Sequence, residues 1–468
     1  LTLAQANDRQ ERHSRQLDGN AWLKGGNNPL GSALEARAYA DQKRSDSQDS
    51  QARVASLDGE GEIRLKAGGA MTLTGTRIGN EQVVPEKIQV GADGPLRILA
   101  ASDSHEASGN NLGGGGEVVF RKNGAGQGGG LGGHFSNGRV SESDQTAHGA
   151  VFTAKTSVDL SSQARQEDAI HLQGLKASAE QVNVAAPNGG VLVESASSSE
   201  RRDNLELTVG AGYGVTPAAD PANSKKGIYG RAQFALDQRD NLLHQNSQFD
   251  AGTVGLYSMG DMQLNGVRVN AGRIEGSVGG DLTLASRQDR VNALKIDVDA
   301  QLSKEKNPQG YLNAVRSFSG PLAAGAEKKI GGAVQKVDPG ISPTLDLKVD
   351  YARRDTVASP SRLSGQDGVN LQVGGDVKLS GADVRSGNGK VDLGSERISR
   401  ETLNGRDVRR VVGTNLSNAP VELGSDLVNT YKEGMKLDEG DSMVDLGLVR
   451  TGGHDREVRL ESAIVEKR

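Results

Sequence analysis

The sequence predicts an all-β protein whose short strands wind into a coil, a β-solenoid, with β-hairpin excursions leaving the coil. Three observations support this prediction: apolar residues alternate in short bursts, two phrases recur about every 95 residues, and the composition is rich in glycine but poor in aromatic residues. The chain has 64 glycines among 468 residues, and 3% of its residues are aromatic. A narrow coil lined by aliphatic side chains accounts for the shortage of large rings.

The clearest strands lie between Asp250 and Ser286. Each apolar burst there is too short for a helix and is flanked by turn residues such as glycine and asparagine, which favours strands joined by turns. The bursts are Val254–Leu256, Met262–Leu264, Val267–Val269, Ile274–Val278 and Leu282–Leu284. One ribbon of such strands would have no core, whereas stacked coils bury their inward residues in one apolar column.

Two phrases mark the repeat. The first, apolar-x-apolar followed by two mostly small or polar residues, begins at Leu1, Leu96, Val191, Leu282 and Val391. The second, apolar-x-Leu-x-Gly, ends at Gly75, Gly174, Gly266 and Gly381. Because the two series advance together, we expect residues 1–395 to form a solenoid of about four repeat blocks, followed over 396–468 by a β-rich excursion and a partial coil. The predicted ladders lie near 59–102, 151–195, 250–286 and 365–395, and the excursions near 7–55, 103–146, 196–248 and 287–360.

Two excursions contain matched pairs of strand-like arms. Leu205–Tyr213 and Ile228–Leu236 predict a hairpin that lies as a ribbon against the side of the solenoid. Leu294–Leu302 and Leu345–Tyr351 predict a second pair of arms, with one short helical segment near 322–330 between them. The tail contains three strand candidates, Val408–Val412, Val444–Val449 and Val458–Ile464.

Two other excursion segments have more than one interpretation. Ser32–Tyr39 fits either one or two helical turns or the return arm of a hairpin. Gly124, Gly126 and Gly129 match the GxGxxG spacing of a phosphate-binding loop. Such a loop must open a helix, and Leu131–Gly138 cannot form a stable one. We therefore interpret the glycine run as a flexible turn.

Charge and composition exclude several classes of function. The net charge is −5 and the charges are interspersed, which argues against nucleic acid as the principal partner. The absence of cysteine excludes disulfides, thiolate metal sites and a thiol nucleophile. No signal peptide and no apolar run of the ~18 residues that a spanning helix needs is visible. Because the chain begins at Leu1 in mid-strand, with the first phrase, we expect an internal piece of a longer protein.

Three segments carry a family resemblance: Gly280–Ser286, Gly375–Asp383, and Val193–Ser199 followed by Val209–Gly212. They resemble the haemagglutinin repeats of filamentous-haemagglutinin-type exoproteins, the secreted members of bacterial two-partner secretion systems. The resemblance implies a right-handed parallel β-helix that is exported through a dedicated outer-membrane transporter to the cell surface or the medium. It also implies one of three virulence roles: adhesin, contact-dependent inhibition toxin, or stalk of a pore-forming haemolysin or exolysin.

Parallel β-helices also include polysaccharide lyases and hydrolases, so an enzyme is the rival hypothesis. Candidate carboxylates are Asp250, Asp261, Asp281 and Asp289. Asp261 and Asp281 each follow a glycine in a Gly-Asp-apolar-x-Leu phrase, which favours a turn at the corner of a coil. Sugar-binding sites need aromatic platforms, and the central ladder offers only Phe249 and Tyr257.

No other constellation of residues predicts chemistry. The seven histidines, at 13, 105, 134, 148, 171, 244 and 454, show no metal-binding spacing, so we interpret most as solvated surface residues. Asp297 with Asp299 and Asp346 with Asp350 lack the calcium-loop pattern and predict a wet strand face. A Ser-His-Asp triad stays open, although no Gly-x-Ser-x-Gly elbow is present. We predict no catalytic, cofactor-binding or metal-binding residue and no cofactor.

The excursion arms also bear on membrane insertion. Leu294, Ile296 and Val298 form an apolar face, but the partner arm Leu345–Tyr351 is shorter than the ~9 to 11 residues of a spanning strand. We therefore expect no stable insertion of this segment. The function predicted is an elongated, non-enzymatic shaft of a surface or secreted exoprotein. It presents hairpins to a receptor on a host cell or another bacterium.

Overall fold

The computed structural model describes residues 1–28, 31–123, 126–216, 225–303, 342–417 and 449–466, and these residues form strands and turns without an α-helix. Up to residue 99 the strands are β1 (Thr2–Leu3), β2 (Ala6–Asn28), β3 (Gly31–Arg53), β4 (Ser56–Leu57), β5 (Glu62–Ala67), β6 (Met71–Thr74), β7 (Arg77–Ile78), β8 (Lys87–Ala92) and β9 (Leu96–Leu99). From 101 to 194 they are β10 (Ala101–Asn123), β11 (Gly126–His148), β12 (Val151–Thr153), β13 (Ser157–Ser162), β14 (Ile170–Gln173), β15 (Lys176–Ala186) and β16 (Val191–Glu194).

The remaining strands continue the same alternation of short and long elements. From 196 to 303 they are β17 (Ala196–Thr216), β18 (Lys225–Gln245), β19 (Ser247–Ser258), β20 (Met262–Asn265), β21 (Val267–Val278), β22 (Leu282–Ala285) and β23 (Asp289–Ser303). From 342 onward they are β24 (Ser342–Thr356), β25 (Arg362–Val373), β26 (Val377–Ser380), β27 (Asp383–Ser386), β28 (Val391–Asp392), β29 (Ile398–Glu401), β30 (Leu403–Ser417), β31 (Val449–Leu460) and β32 (Ala463–Glu466).

The short strands form two parallel sheets that the chain visits in turn. The first has the order β1-β6-β9-β14-β16-β20-β22-β26-β29. The second follows the path β32-β27-β25-β21-β19-β15-β12-β7-β4, with β5, β8, β13 and β28 joined beside it. From β19 to β22 the chain alternates between the sheets, and each return pairs in parallel with the strand of the preceding visit.

The inward residues of both parallel sheets share one apolar core. In β20, Met262 and Leu264 are fully buried while Gln263 is exposed, as the alternating pattern predicts. Val254 and Ile274 of the second sheet belong to the same buried cluster. Apart from Phe152 and Phe249 the cluster consists of aliphatic residues and methionine, in keeping with the small share of aromatic residues in the sequence.

The glycine that ends the second sequence phrase has a defined conformational role. Gly75, Gly174, Gly266 and Gly381 all have positive φ, at 62°, 65°, 74° and 55°. Each follows a strand of the first parallel sheet, where the chain turns the corner toward the second. A side chain is strained in this region of backbone space, so the corner requires glycine.

The long strands form a separate antiparallel sheet, which we call the hairpin sheet. Its order is β2-β3-β10-β11-β17-β18-β23-β24-β30-β31, so five hairpins lie edge to edge. The predicted hairpin of the third excursion is confirmed, with Leu205 opposite Leu236 and Tyr213 opposite Ile228. The prediction that this hairpin lies as a ribbon against the side of the solenoid is wrong, because the hairpin is part of a larger sheet. Each hairpin pairs with the next one, for example β11 with β17 and β18 with β23.

The structure resolves the ambiguous excursion segments and corrects one interpretation. Ser32–Tyr39 lies in β3, so it is the return arm of a hairpin. Gly126–Gly133 was interpreted as a flexible turn, which is wrong, because these residues belong to β11 and pair in register with β10. The GxGxxG match therefore continues as a strand and opens no helix. The predicted helical segment near 322–330 and residues 444–448 lie outside the described residues.

Candidate functional surface

The register of the hairpin sheet separates its residues onto two faces. Residues directly opposite each other in neighbouring strands point to the same side, and successive residues alternate. One row across the strands contains Leu112, Asn137, Leu207, Phe234, Val298 and Leu347. The adjacent row contains Asn111, Gly138, Glu206, Ala235, Asp297 and Lys348. We call these sides the apolar face and the charged face.

Among the residues that the structure describes, nine large hydrophobic side chains on the apolar face are exposed to solvent. Leu17 is 76% exposed and Phe120 is 58% exposed. We call the nine side chains the apolar patch: Leu17, Leu23, Leu34, Leu112, Val118, Phe120, Leu131, Phe135 and Tyr213. The patch spans β2, β3, β10, β11 and β17. Large exposed apolar patches mark contact surfaces for proteins or membranes.

The charged face is held by ion pairs between neighbouring strands. Arg231 Nη2 lies 2.6 Å from Asp299 Oδ2, and Arg409 Nη2 lies 3.0 Å from Asp350 Oδ2. The hydrogen bond from Arg231 lowers the pKa of the Asp299 carboxyl below its usual value, against the opposing effect of burial. The aspartates at 297, 299, 346 and 350 therefore lie on the wet side of the sheet, as predicted, and Asp297, Asp299 and Asp350 each pair with a cation.

Asp261 and Asp281, the two candidates that follow a glycine, accept hydrogen bonds from backbone N–H groups at coil corners, in agreement with the predicted turns. Asp261 Oδ1 accepts a hydrogen bond from the backbone N–H of Asp281 at 2.8 Å. Asp250 accepts hydrogen bonds from Gln248 and Asn270 on the outside of the coil. Of the two predicted rings, Phe249 is fully buried and Tyr257 is exposed. These residues do not converge on a shared site.

The structure brings one serine, one histidine and one aspartate together at the base of the third hairpin. Ser195 Oγ lies 3.2 Å from His244 Nδ1. Asp289 Oδ1, however, accepts from the backbone N–H of His244 at 2.7 Å. Ser195 is buried, and burial lowers the pKa of the His244 imidazole. In a catalytic triad the carboxylate orients the histidine ring, so this cluster lacks the geometry of a nucleophile.

The seven histidines are all at least partly exposed, as interpreted, and most of them also pair with a carboxylate. Five contact a carboxylate across strands: His13 with Asp46, His105 with Asp49, His148 with Asp103, His171 with Glu194, and His454 with Asp407. The first two pairs occupy directly opposite positions in adjacent strands, and the other three are diagonal neighbours two residues out of register. Among the described residues, no group of three or more histidines and carboxylates is placed to hold a metal ion.

The structure also shows a set of serines at the hairpin bases that sequence analysis missed. Ser361 follows the hairpin formed by β23 and β24, and its Oγ donates to Ala285 O at 2.6 Å. The same Oγ accepts from the backbone N–H groups of Gly266 and Val267 at 3.0 and 3.1 Å. Ser247 and Ser462 make equivalent bonds at two other hairpin bases. We call these three residues the base serines. Their signal is a Ser-x-apolar triplet after each of these excursions.

Two findings bear on membrane contact. No helix in the described part of the chain is long and apolar enough to cross a bilayer. The predicted return arm Leu345–Tyr351 is longer than expected, because β24 runs from Ser342 to Thr356 and has 15 residues. Pairing with β23 on one side and β30 on the other extends it through polar residues that break the alternating pattern. The length of this arm therefore does not argue against a spanning strand.

Comparison with known proteins identifies related sequences. The model of the family described as haemagglutinin repeat matches residues 36–184 and 131–298. A protein named hemolysin from Serratia marcescens is 29% identical over 491 aligned positions, covering 87% of this chain and 30% of the relative. A hemolysin from Proteus mirabilis is 24% identical, covering 94% of this chain and 31% of the relative. The chain thus spans about a third of the length of these curated relatives. No solved structure matches the chain.

Proposed function

This chain belongs to the haemagglutinin-repeat family of filamentous-haemagglutinin-type exoproteins, and on that premise we propose that it is a right-handed parallel β-solenoid segment of a secreted haemolysin. The coil is a stiff shaft, and the hairpin sheet that leaves it is the surface that meets the target cell. The segment carries out no reaction of its own. Its role is to hold and present the hairpin sheet.

The strand order supports the solenoid. The chain alternates between the two parallel sheets and pairs with its own preceding coil, and both sheets contribute to one core. Positive-φ glycines recur at the same corner in four blocks. A coil of this kind is extended by adding further blocks, so it suits a long exported protein.

The apolar patch is the observation that favours a haemolysin over an inert shaft. Removing the nine exposed large apolar side chains of the apolar patch from water lowers the free energy of the system. The opposite face is charged, so only one side of the sheet seeks an apolar partner. The relatives are named hemolysins, and a cell that is lysed offers a lipid bilayer as this partner.

Export and location follow from the family. We propose that the parent protein leaves the cell through the outer-membrane transporter of its two-partner secretion pair and acts in the medium or on the bacterial surface. The transporter would receive an unfolded chain. Coils with only local neighbours can then form one after another as the chain emerges.

A vesicle flotation assay tests the role of the patch. The full chain is mixed with phosphatidylcholine vesicles and centrifuged through a density gradient. The wild type floats with the vesicles, and a variant with Leu112→Ser, Phe120→Ser and Phe135→Ser loses about tenfold or more of its bound fraction. Each substitution removes a large side chain worth ~1.5–3 kcal/mol when it is fully transferred from water.

The matched control carries the same kind of change on the charged face. Val140 and Leu243 are exposed large hydrophobic residues there. The Val140→Ser and Leu243→Ser variant keeps wild-type flotation if the patch is the lipid-contacting surface. Absence of vesicle binding by the wild type, or equal loss in both variants, contradicts the proposal.

Adhesion is the second candidate function. It is favoured by a groove around Trp22 on the charged face of the same sheet. A shaft that binds a cell-surface glycan through this groove would hold the hairpin sheet at the target cell.

A further inference from the structure

A row of three side chains crosses the outer part of the charged face. Trp22, the only tryptophan in the chain, lies directly opposite Arg37, whose guanidinium carbon is 5.3 Å from the centre of the ring. Arg37 Nε lies 2.9 Å from Glu117 Oε2 on the next strand. Ring, guanidinium and carboxylate thus follow one another across β2, β3 and β10. The pairing of Arg37 with Glu117 leaves this row without net charge.

Beyond Glu117 the same row continues without side chains. Gly132 and Gly212 lie in register with Glu117 on β11 and β17. In the neighbouring row of this face, Gly210 lies beside His134. The result is a floor of bare backbone about two strand spacings, or ~10 Å, across. An open groove of about 360 Å³ lies over part of this floor and is lined by Trp22, Arg37, Tyr39, Glu117, Gly132 and Gly210, with His134 at its edge.

The glycines around this groove differ in what they do for the fold. An added Cβ at Gly115 would lie 2.7 Å from the backbone oxygen of Ala38 and from Cβ of Tyr39, so packing between strands requires glycine there. An added Cβ at Gly210 would meet only Gly133 O at 3.5 Å and His134 Cβ at 3.6 Å, which are ordinary contacts. Packing therefore does not require glycine at 210. Its effect is to keep the floor open.

We propose that this groove binds a neutral sugar residue of a glycan. A pyranose ring has an apolar face of C–H groups, which packs against aromatic rings and flat backbone, and a rim of hydroxyls that need hydrogen-bond partners. Trp22 and Tyr39 supply rings, and Glu117 and His134 supply polar atoms at the edge of the floor. The volume falls within the ~300–1,000 Å³ range of small-molecule sites. The neutral Arg37–Glu117 pair favours an uncharged ligand.

The single tryptophan allows a direct test. The full chain is titrated with lactose, maltose and cellobiose while the fluorescence of Trp22 is recorded, and with sialyllactose as an anionic comparison. At least one neutral sugar shifts or quenches the emission in a saturable way. Saturation-transfer NMR on the sugar protons gives a second readout that does not depend on the tryptophan.

Two valine substitutions separate the site from the fold. Gly210→Val fills the floor and weakens sugar binding by about tenfold or more, a change of ~1.4 kcal/mol in binding free energy. Gly19→Val is the matched control, because an added Cβ at Gly19 meets only Tyr39 O at 3.6 Å and Gly19 lies on the apolar face. The control variant binds as the wild type does.

Three results overturn the proposal: no response to any of the neutral sugars, a response to the anionic sugar alone, or equal weakening in both valine variants. The outcome is independent of vesicle flotation, because the groove and the apolar patch lie on opposite faces of the sheet. Failure here therefore leaves the haemolysin proposal standing, and failure of flotation leaves the sugar site standing.

Discussion

The side chain of Asp281 accepts a hydrogen bond from the backbone N–H of Asp376 at 2.8 Å, although the two residues are 95 positions apart. Asp281 in turn donates its own backbone N–H to the side chain of Asp261. The three aspartates form a ladder in which the carboxylates of Asp261 and Asp281 each bind the backbone of the next aspartate in the stack. The recurring Gly-Asp phrase of the sequence is therefore a stacking contact in space.

Removing this carboxylate exposes the corner that it binds. We expect Asp281→Ala to speed hydrogen exchange at the Asp376 amide by roughly two- to tenfold, the range that the net worth of one hydrogen bond gives. The hydrogen bond from the Asp376 backbone lowers the pKa of the Asp281 carboxyl. The stability that this hydrogen bond contributes is therefore present above the ordinary pKa of an aspartate and is lost as the pH falls through the lowered pKa. Unchanged exchange at Asp376 at neutral pH would contradict the ladder.

The corner glycines give a second prediction. Gly266 has φ of 74°, and an added Cβ would lie 2.7 Å from Cβ of Ser195. Gly266→Ala is expected to destabilise the coil by at least about 1–2 kcal/mol, from the backbone strain alone. Gly69→Ala is the control, since an added Cβ there meets nothing within 4 Å. Urea denaturation followed by circular dichroism compares them, and equal midpoints would show that the corner does not require glycine.

The base serines can be tested at the fourth hairpin. Ser361→Ala removes the acceptor of the buried Val267 N–H, one of the two acceptors of the Gly266 N–H, and the donor to Ala285 O. Buried groups without partners cost ~1–3 kcal/mol, so we expect local opening at the hairpin base to become easier by that amount. Ser364→Ala, on a less buried position of β25, serves as the control. Hydrogen exchange of the Gly266 and Val267 amides is the measurement, and protection equal to that of the control would refute this role.

The pair of His171 and Glu194 predicts a response to acid. His171 Nε2 lies 2.9 Å from Glu194 Oε1, and this hydrogen bond lowers the pKa of Glu194 against the opposing effect of burial. A carboxyl group whose pKa is lowered in the folded state stabilises the fold at pH values above its unfolded-state pKa. This stabilisation is lost as the pH falls through the folded-state pKa. Between about pH 5 and 3 the wild type should therefore lose more stability than His171→Leu. Identical pH profiles of thermal unfolding for the two proteins would be evidence against this coupling.

The coil could be predicted from the sequence because its determinants are local. Alternation at Met262 and Leu264 identifies buried positions, and the phrase ending in Gly266 identifies a corner. Both signals repeat at the spacing of the blocks. The turn positions of Asp261 and Asp281 follow from the glycine that precedes each of them.

The hairpin sheet could not be predicted to the same extent because its determinants are not local. Near the hairpin bases, residues such as Arg353 and Arg354 break the alternation, and pairing with β30 keeps them in the strand. The glycine run at Gly126–Gly133 has no strand propensity of its own and is ordered by the neighbouring β10. Nothing in the local pattern around Trp22 reveals that Gly210, on a different hairpin, completes its groove.

The central claim is that separate hairpins form one continuous sheet, because only then do exposed apolar residues of five strands make a single patch. The chain lacks cysteine, so engineered pairs report contacts directly. Gln42 and Leu112 lie directly opposite each other in different hairpins. The expected Cα separation of about 4.5–5.5 Å suits a disulfide. The account predicts that Gln42→Cys with Leu112→Cys crosslinks under mild oxidation, while Gln42→Cys with Ser108→Cys, four residues out of register, does not. The reverse result, or crosslinking of neither pair, would contradict it.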